Sequence, residues 1–154
     1  MDLSKSGFLK QASLYLLNSN YQEAYAFCKE NISKYPVEST AHYIFSKAAF
    51  ELGKYEESAK EAHIAFNTTS NHDEMILCAL LAASSYYFLG QFNRAISVLE
   101  SLKVIKQDEN VEQLLAINYL AISNEAKAME HFEKLLVLNR KMGEDLLVRF
   151  LEKD

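Results

Sequence analysis

The fold is decided by residues 39–66, STAHYIFSKAAFELGKYEESAKEAHIAF, which predict two amphipathic α-helices joined by a tight turn. We place the turn at Leu52-Gly53-Lys54, where Gly53 caps the first helix because a left-handed backbone costs glycine little. Small residues recur where two helices would approach closely, at Ser46, Ala49, Ser58, Ala62 and Ala65. Aromatic residues recur where a groove or a neighbouring unit would need filling, at Tyr43, Phe45, Phe50, Tyr55 and Phe66. This stretch therefore predicts a helical hairpin, and the sequence on both sides repeats the pattern.

The composition favours one all-helical domain. The chain has 154 residues, of which 49% are hydrophobic and 24% are charged, so it can bury a sizeable core. It contains one proline and four glycines, few for a chain rich in sheets and loops. The net charge of -5 indicates a soluble protein and argues against nucleic acid, which selects basic surfaces.

The two cysteines, Cys28 and Cys78, lie inside predicted helices beside apolar neighbours. We interpret them as buried, reduced thiols that act as small hydrophobic side chains, which is consistent with a reducing compartment. The N-terminus has no apolar run of signal-peptide length, and no segment approaches the roughly 20 apolar residues of a membrane span. The sequence therefore predicts a soluble, cytoplasmic protein without a membrane span.

The spacing of small residues reveals an internal repeat. One column of small residues, separated by 34, 37 and 33 positions, contains Ala12, Ser46, Ala83 and Ala116. A second column lies twelve residues later, at Ala24, Ser58, Ala95 and Ala128. Predicted turns fall between the two columns, at Ser19, Gly53, Gly90 and Ser123. A period near 34 residues, with small, aromatic and turn positions in agreement, is typical of a helical solenoid.

These columns resemble the tetratricopeptide repeat, whose units are antiparallel helix pairs of 34 residues. The resemblance implies an all-α fold, a right-handed α-α superhelix (TPR solenoid) of about nine helices. It implies a single domain over 1–154, with repeats at about 5–38, 39–75, 76–108 and 109–139 and a capping helix at about 141–152. One departure concerns the bulky residue that commonly begins the first helix of a repeat. That column is bulky only at Phe8 and otherwise holds His42, Ala79 and Glu112.

The capping helix is expected to cover the last apolar face and to present charged residues to water. Its apolar stripe consists of Leu146, Leu147, Phe150 and Leu151.

The resemblance also implies a concave groove, lined by the first helix of each pair. Its partner-binding residues would be Leu9, Leu16, Tyr43, Lys47, Phe50, Leu80, Ser84, Tyr87, Phe88, Gln113 and Ile117. Family members often bind a peptide carboxylate with Lys, Asn and Arg at such positions, whereas here Lys47 is the basic one. We therefore do not expect a carboxylate clamp or a heat-shock chaperone tail as ligand. The predicted partner is a protein or peptide that offers an apolar segment or an amphipathic helix.

Three interpretations of this apolar strip remain open: a partner binds it, neighbouring helices or the capping helix bury it, or it mediates self-association. The leading functional hypothesis is a non-enzymatic protein–protein interaction module, whether adaptor, chaperone or assembly subunit. The alternative hypothesis is a structural subunit that self-associates as a homodimer within a larger assembly.

Residues for catalysis or cofactor binding form no recognisable pattern. The four histidines, at positions 42, 63, 72 and 131, include no pair at a spacing of three or four residues, and no Gly-rich phosphate loop or H-E-x-x-H motif occurs. Neighbouring carboxylates such as Glu56-Glu57 and Asp73-Glu74 stand at predicted helix starts, where they compensate the helix dipole. We therefore expect no enzymatic activity, no cofactor and no metal.

Overall fold

The computed structural model describes residues 4–102 and 107–152. The predicted domain span of 1–154 extends beyond these residues at both ends, and residues 103–106 lie outside them as well. Within the described ranges the chain forms nine α-helices and a single 3₁₀ turn at Ile32–Lys34, so the all-α prediction is confirmed. The helices are α1 Lys5–Leu17, α2 Tyr21–Asn31, α3 Ser39–Glu51, α4 Tyr55–Thr68, α5 His72–Phe88, α6 Phe92–Glu100, α7 Glu109–Ala121, α8 Glu125–Leu138 and α9 Arg140–Leu151.

The chain divides into two compact units, residues 1–89 with α1 to α5 and residues 90–154 with α6 to α9. In the first unit α1 packs on α2, α2 on α3, α3 on α4 and α4 on α5. In the second unit α6 packs on α7, α7 on α8 and α8 on α9. Each helix in each unit thus packs against the next one along the chain.

The four predicted turns adopt one backbone conformation. Gly53 and Gly90 have φ values of 76° and 73°, while Ser19 and Ser123 have φ values of 58° and 61°. In three of these turns the residue after the left-handed one donates its N–H to a carbonyl five residues back, as Lys54 does to Ala49 at 2.8 Å. The turn prediction is confirmed, and two of the turns carry serine where glycine suits the backbone better.

Replacing Ser123 with glycine is expected to stabilise the protein by about 0.5–1 kcal/mol, because a left-handed backbone strains a residue that carries Cβ. The converse change, Gly53→Ser, is the matched control and is expected to destabilise by a similar amount. Urea unfolding at pH 7 measures both free energies of unfolding. A loss of stability in Ser123→Gly would contradict this account of the turn.

The predicted small residues lie where helices meet. The predicted Ser46 on α3 and Ser58 on α4 are fully buried, and so is a further serine, Ser85 on α5. The Ser46 hydroxyl donates to the Ser58 carbonyl oxygen at 2.7 Å, and the Ser85 hydroxyl lies 2.9 Å from that of Ser58. Because each buried hydroxyl is hydrogen-bonded, these contacts let three helices approach closely without leaving a polar group unsatisfied.

Both cysteines are free and fully buried, as the sequence predicted. Burial raises the pKa of each thiol to about 12, with smaller contributions from Glu61 at Cys28 and from Glu74 at Cys78. Neither thiol is a reactive nucleophile near neutral pH.

The last helix covers part of the apolar face that precedes it. Leu146 is buried, and the Phe150 ring meets that of Phe132 with 5.1 Å between centroids. At Gly143 an added Cβ would lie 2.7 Å from Leu136 Cδ2, so α9 lies very close to α8 there. The predicted stripe is only half buried, because Leu147 and Leu151 are exposed together with Val148. Arg149 and Glu152 are exposed as expected, but the expectation that the apolar stripe of α9 is covered was wrong for Leu147 and Leu151.

Candidate partner-binding groove

A shallow groove of about 190 Å³ lies between α3 and α5 of the first unit. We call it the α3/α5 groove; its lining residues are Tyr43, Lys47, Phe50, Leu77, Leu80, Leu81 and Ser84. On α3 these residues are spaced by four and three positions, and on α5 by three, one and three. Such spacings place them on one face of each helix. The α3/α5 groove thus follows from residues at helical spacing on one face of α3 and on one face of α5.

An aromatic cluster borders the α3/α5 groove at the C-terminal ends of both helices. Phe88 stacks on Tyr55 with 4.8 Å between ring centroids, and its edge meets Phe50 at 5.8 Å. Phe50 and Tyr55 also contact each other, at 5.4 Å. Despite these contacts, the Phe88 side chain is 57% exposed. The cluster is therefore a pre-ordered aromatic surface that faces solvent.

The α3/α5 groove carries little uncompensated charge. Lys47, its one charged lining residue, places Nζ 2.9 Å from Glu51 Oε1 and 5.7 Å from the centre of the Phe50 ring. Burial raises the pKa of Tyr43, and the positive charge of Lys47 opposes this effect. The groove therefore suits an apolar contact. Lys47 could also pair with an acidic group of a partner in place of Glu51, because surface ion pairs are weak.

The structure brings together five of the residues that the sequence proposed for partner binding: Tyr43, Lys47, Phe50, Leu80 and Ser84. Phe88 joins them through its contact with Phe50, and Tyr87 contacts Phe88 at 5.6 Å.

Leu9 and Leu16 are only partly buried and pack against the core formed by α1, α2 and α3, so they do not line the α3/α5 groove. In the second unit, Gln113 lines a cleft of about 290 Å³ beside α9 residues, including Met142 and Arg149. Ile117 packs against the core around Ala116 and Phe132. Whether these four residues contact a partner stays a prediction.

Sequence reasoning missed Leu77 and Leu81; it named Tyr55 as an aromatic residue that fills a groove or a neighbouring unit, but not among the partner-binding residues. Leu77 is 51% exposed and begins the apolar face that continues through Leu80, Leu81 and Ser84. The i, i+4 relation of Leu77 to Leu81 was the available signal. Tyr55 begins α4, which does not line the groove. Its ring lies beside Phe88 because the chain turns between α3 and α4.

The size of the α3/α5 groove bears on what it can hold. Ligand pockets for small molecules usually measure roughly 300–1,000 Å³, above the volume found here. Side chains that project from a partner protein fit such a shallow depression better than a metabolite does.

Within residues 4–102 and 107–152, no group of three or more His, Cys, Asp or Glu residues is arranged to hold a metal ion. None of the helices described is both long and apolar enough to traverse a lipid bilayer.

Antiparallel helix pairs with a common left-handed turn, small residues at the contacts and a period near 34 define the class: this is a tetratricopeptide-repeat fold. In sequence, residues 3–62 match the family model for subunit 3 of the anaphase-promoting complex, or cyclosome. No curated protein matches the chain.

Solved structures with this fold include MamA, which has a TM-score of 0.77 at 19% identity and is covered over 79% of its chain and 89% of this one. The hetero-tetramer of Cut9 and Hcn1 from the anaphase-promoting complex also gives 0.77 at 19% identity, over 92% of this chain but 29% of that one. A tetratricopeptide-repeat protein from Bacteroides fragilis gives 0.64 at 20% identity, over 95% of this chain and 68% of that one. These identities show a shared fold alone. Proteins of this fold generally bind protein partners and are not enzymes.

Proposed function

We propose that this chain is a non-enzymatic protein–protein interaction module that binds a helix or an extended apolar segment in the α3/α5 groove. The observation that carries the proposal is the exposure of large apolar side chains in the α3/α5 groove and in the aromatic cluster at its border. Leu77 is 51% and Phe88 is 57% exposed, although the backs of both helices are buried. Contiguous apolar and aromatic surface of this kind marks partner contacts in soluble proteins.

Among adaptor, chaperone and assembly subunit, we favour the assembly subunit. The supporting observation is the sequence match of residues 3–62 to a subunit of a multiprotein complex. The α3/α5 groove lies within residues 43–84, partly inside and partly beyond that match. The partner in this proposal is a different chain, and a homodimer formed through the same surface is the alternative. A cytoplasmic location is supported by the two buried free thiols, which suit a reducing compartment.

Leu77→Glu is expected to weaken partner capture at least tenfold, because it removes an apolar side chain that a bound partner would bury and adds a charge. Burying one leucine contributes about 1.5–3 kcal/mol, and tenfold in affinity corresponds to about 1.4 kcal/mol. The assay is capture of protein partners from a lysate of the native host, with quantitative mass spectrometry and a repeat using the purified partner.

Val148→Glu is the matched control, since Val148 is also 51% exposed but lies on α9, outside the α3/α5 groove. Its capture is expected to equal that of the wild type. Equal capture by both variants would overturn the assignment of the α3/α5 groove. Light scattering over a range of concentrations tests the alternative: a dimer that Leu77→Glu dissolves would favour self-association over a different partner.

A further inference from the structure

A buried histidine–carboxylate pair occurs twice, at corresponding places in two hairpins. On α3 and α4, His42 Nδ1 lies 2.5 Å from Glu61 Oε2. On α7 and α8, His131 Nδ1 lies 2.6 Å from Glu112 Oε2. Each pair joins residues 19 positions apart, but the histidine is on the first helix in one hairpin and on the second helix in the other. The same place in the fold therefore accepts either orientation of the pair.

The fold does not require an ionisable pair at this place. In the first hairpin the same positions hold Phe8 and Phe27, whose ring centroids are 5.4 Å apart. Replacing a buried ion pair with apolar residues of similar volume is often neutral or stabilising. An aromatic pair therefore suffices to join the two helices of a hairpin in this chain. The histidine–carboxylate pair must have a role other than hairpin formation.

His42 differs from His131 in what its second ring nitrogen meets. Its Nε2 lies 2.9 Å from the carbonyl oxygen of Pro36, in the segment between the 3₁₀ turn and α3. A carbonyl can only accept a hydrogen bond, and a neutral imidazole carries only one N–H. With a carboxylate on Nδ1 and a carbonyl on Nε2, both contacts are satisfied only when the pair holds one proton more than neutral imidazole plus carboxylate.

The surroundings of His42 retain that proton. Burial by itself lowers the pKa of His42, but the hydrogen bonds to Glu61 and to the Pro36 carbonyl, together with the charges of Glu61 and Glu38, outweigh it and raise the pKa. Glu61 approaches from α4, and Glu38 immediately precedes α3 and lies 3.2 Å from Lys5 Nζ on α1. On the α2 side stands Cys28, whose raised pKa keeps its thiol uncharged.

The segment that His42 holds is itself anchored on the first hairpin. Tyr35, next to Pro36, stacks on Phe8 with 5.0 Å between ring centroids. Within the segment, the Glu38 amide donates to the Tyr35 carbonyl oxygen at 3.1 Å. We call residues 35–38 the connector; it bridges the core under α1 and the hairpin of α3 and α4.

We propose that His42 and Glu61 form a proton-dependent clasp that fastens the connector to the hairpin of α3 and α4 and releases it as the shared proton is lost. When that proton leaves, an imidazole nitrogen lone pair faces an oxygen lone pair, and one of the two contacts breaks. A histidine whose pKa is raised on folding adds stability that is complete below its unfolded value of about 6.5. That stability is lost as the pH rises through the higher folded value. The clasp is thus closed in mildly acidic solution and opens on the alkaline side.

The test compares the wild type with His42→Phe/Glu61→Phe, which imitates the aromatic pair of the first hairpin. Between pH 6.5 and the folded pKa of His42, the unfolding equilibrium constant of the wild type is expected to rise relative to the double variant. The limit for one proton is about tenfold per pH unit. Exchange of the Glu38 amide, corrected for its intrinsic pH dependence, is expected to accelerate over the same range in the wild type alone. His63, His72 and His131 are present in both proteins, so their contributions cancel.

Titration of the His42 imidazole by NMR needs no variant and can overturn the proposal even if the double variant does not fold. The clasp predicts a midpoint above about 6.5. A midpoint at or below that value, or identical pH dependence of unfolding in the two proteins, would overturn the proposal. Neither readout depends on partner binding, so a failure of the clasp leaves the proposed function standing, and the reverse also holds.

Discussion

Glu112→Ala is expected to lower the free energy of unfolding by about 1–3 kcal/mol, the usual cost of leaving a buried polar group without its hydrogen-bond partner. His131 is fully buried, so the imidazole cannot exchange its lost partner for water. Its Nε2 lies 3.5 Å from Glu100 Oε1, and Tyr119 stacks on the ring at 5.4 Å, which leaves little room for rearrangement. Urea unfolding at pH 7 measures the loss.

The control for this prediction is the double variant Glu112→Leu/His131→Leu, which removes both polar groups at once. Because no buried polar group is then left without its partner, we expect it to lie within about 1.5 kcal/mol of the wild type. A double-mutant cycle isolates the coupling between the two side chains. A single variant that loses less than about 1 kcal/mol would show that the pair contributes nothing specific.

Phe8→Ala is expected to cost about 3–5 kcal/mol, the range for deleting a buried phenylalanine side chain. Phe8 is fully buried and contacts the rings of Phe27 and Tyr35. For a chain of this length, such a loss lowers the melting temperature by on the order of 10 °C. Thermal unfolding followed by circular dichroism measures the change.

Phe88→Ala is the control for Phe8→Ala, because it removes an exposed aromatic ring rather than a buried one. Its side chain is 57% exposed, and its ring contacts with Tyr55 and Phe50 are those of an aromatic pair at the surface. We expect a loss of no more than about 1.5 kcal/mol. Equal losses in Phe8→Ala and Phe88→Ala would mean that the aromatic cluster is part of the core rather than a surface held ready for a partner.

Local patterns explain why the helices and turns were predictable. The left-handed turns at Gly53 and Ser123 depend on short-range sequence, and the buried positions of Ser46 and Ser58 follow from the helical period. The failure at α9 is equally local in origin. An apolar stripe shows which residues share a face but not how much of that face its neighbour covers, so Leu151 was expected to be buried and is exposed.

The histidine pairs were not predictable from spacing along one helix, because each pair joins two helices across a hairpin. The available signal was the alignment of repeats, in which His42 corresponds to Glu112 and Glu61 to His131. One repeat has histidine in the first column and glutamate in the second, and the other repeat has them exchanged. Such an exchange indicates that the residues in the two columns contact each other. The α3/α5 groove was predictable only in part. Tyr43 and Leu80 follow from helical spacing, whereas the contact between the Tyr55 and Phe88 rings depends on how the chain folds between helices.

The central claim is that the α3/α5 groove contacts another protein, and site-specific photo-crosslinking tests it most directly. A photoreactive phenylalanine analogue is placed at position 77, inside the groove, and in a second protein at position 148, which is equally exposed on α9. We predict a covalent adduct with a different protein from position 77 and none from position 148. Adducts of equal yield from both positions, or adducts from position 77 with a second copy of this chain alone, would contradict the account.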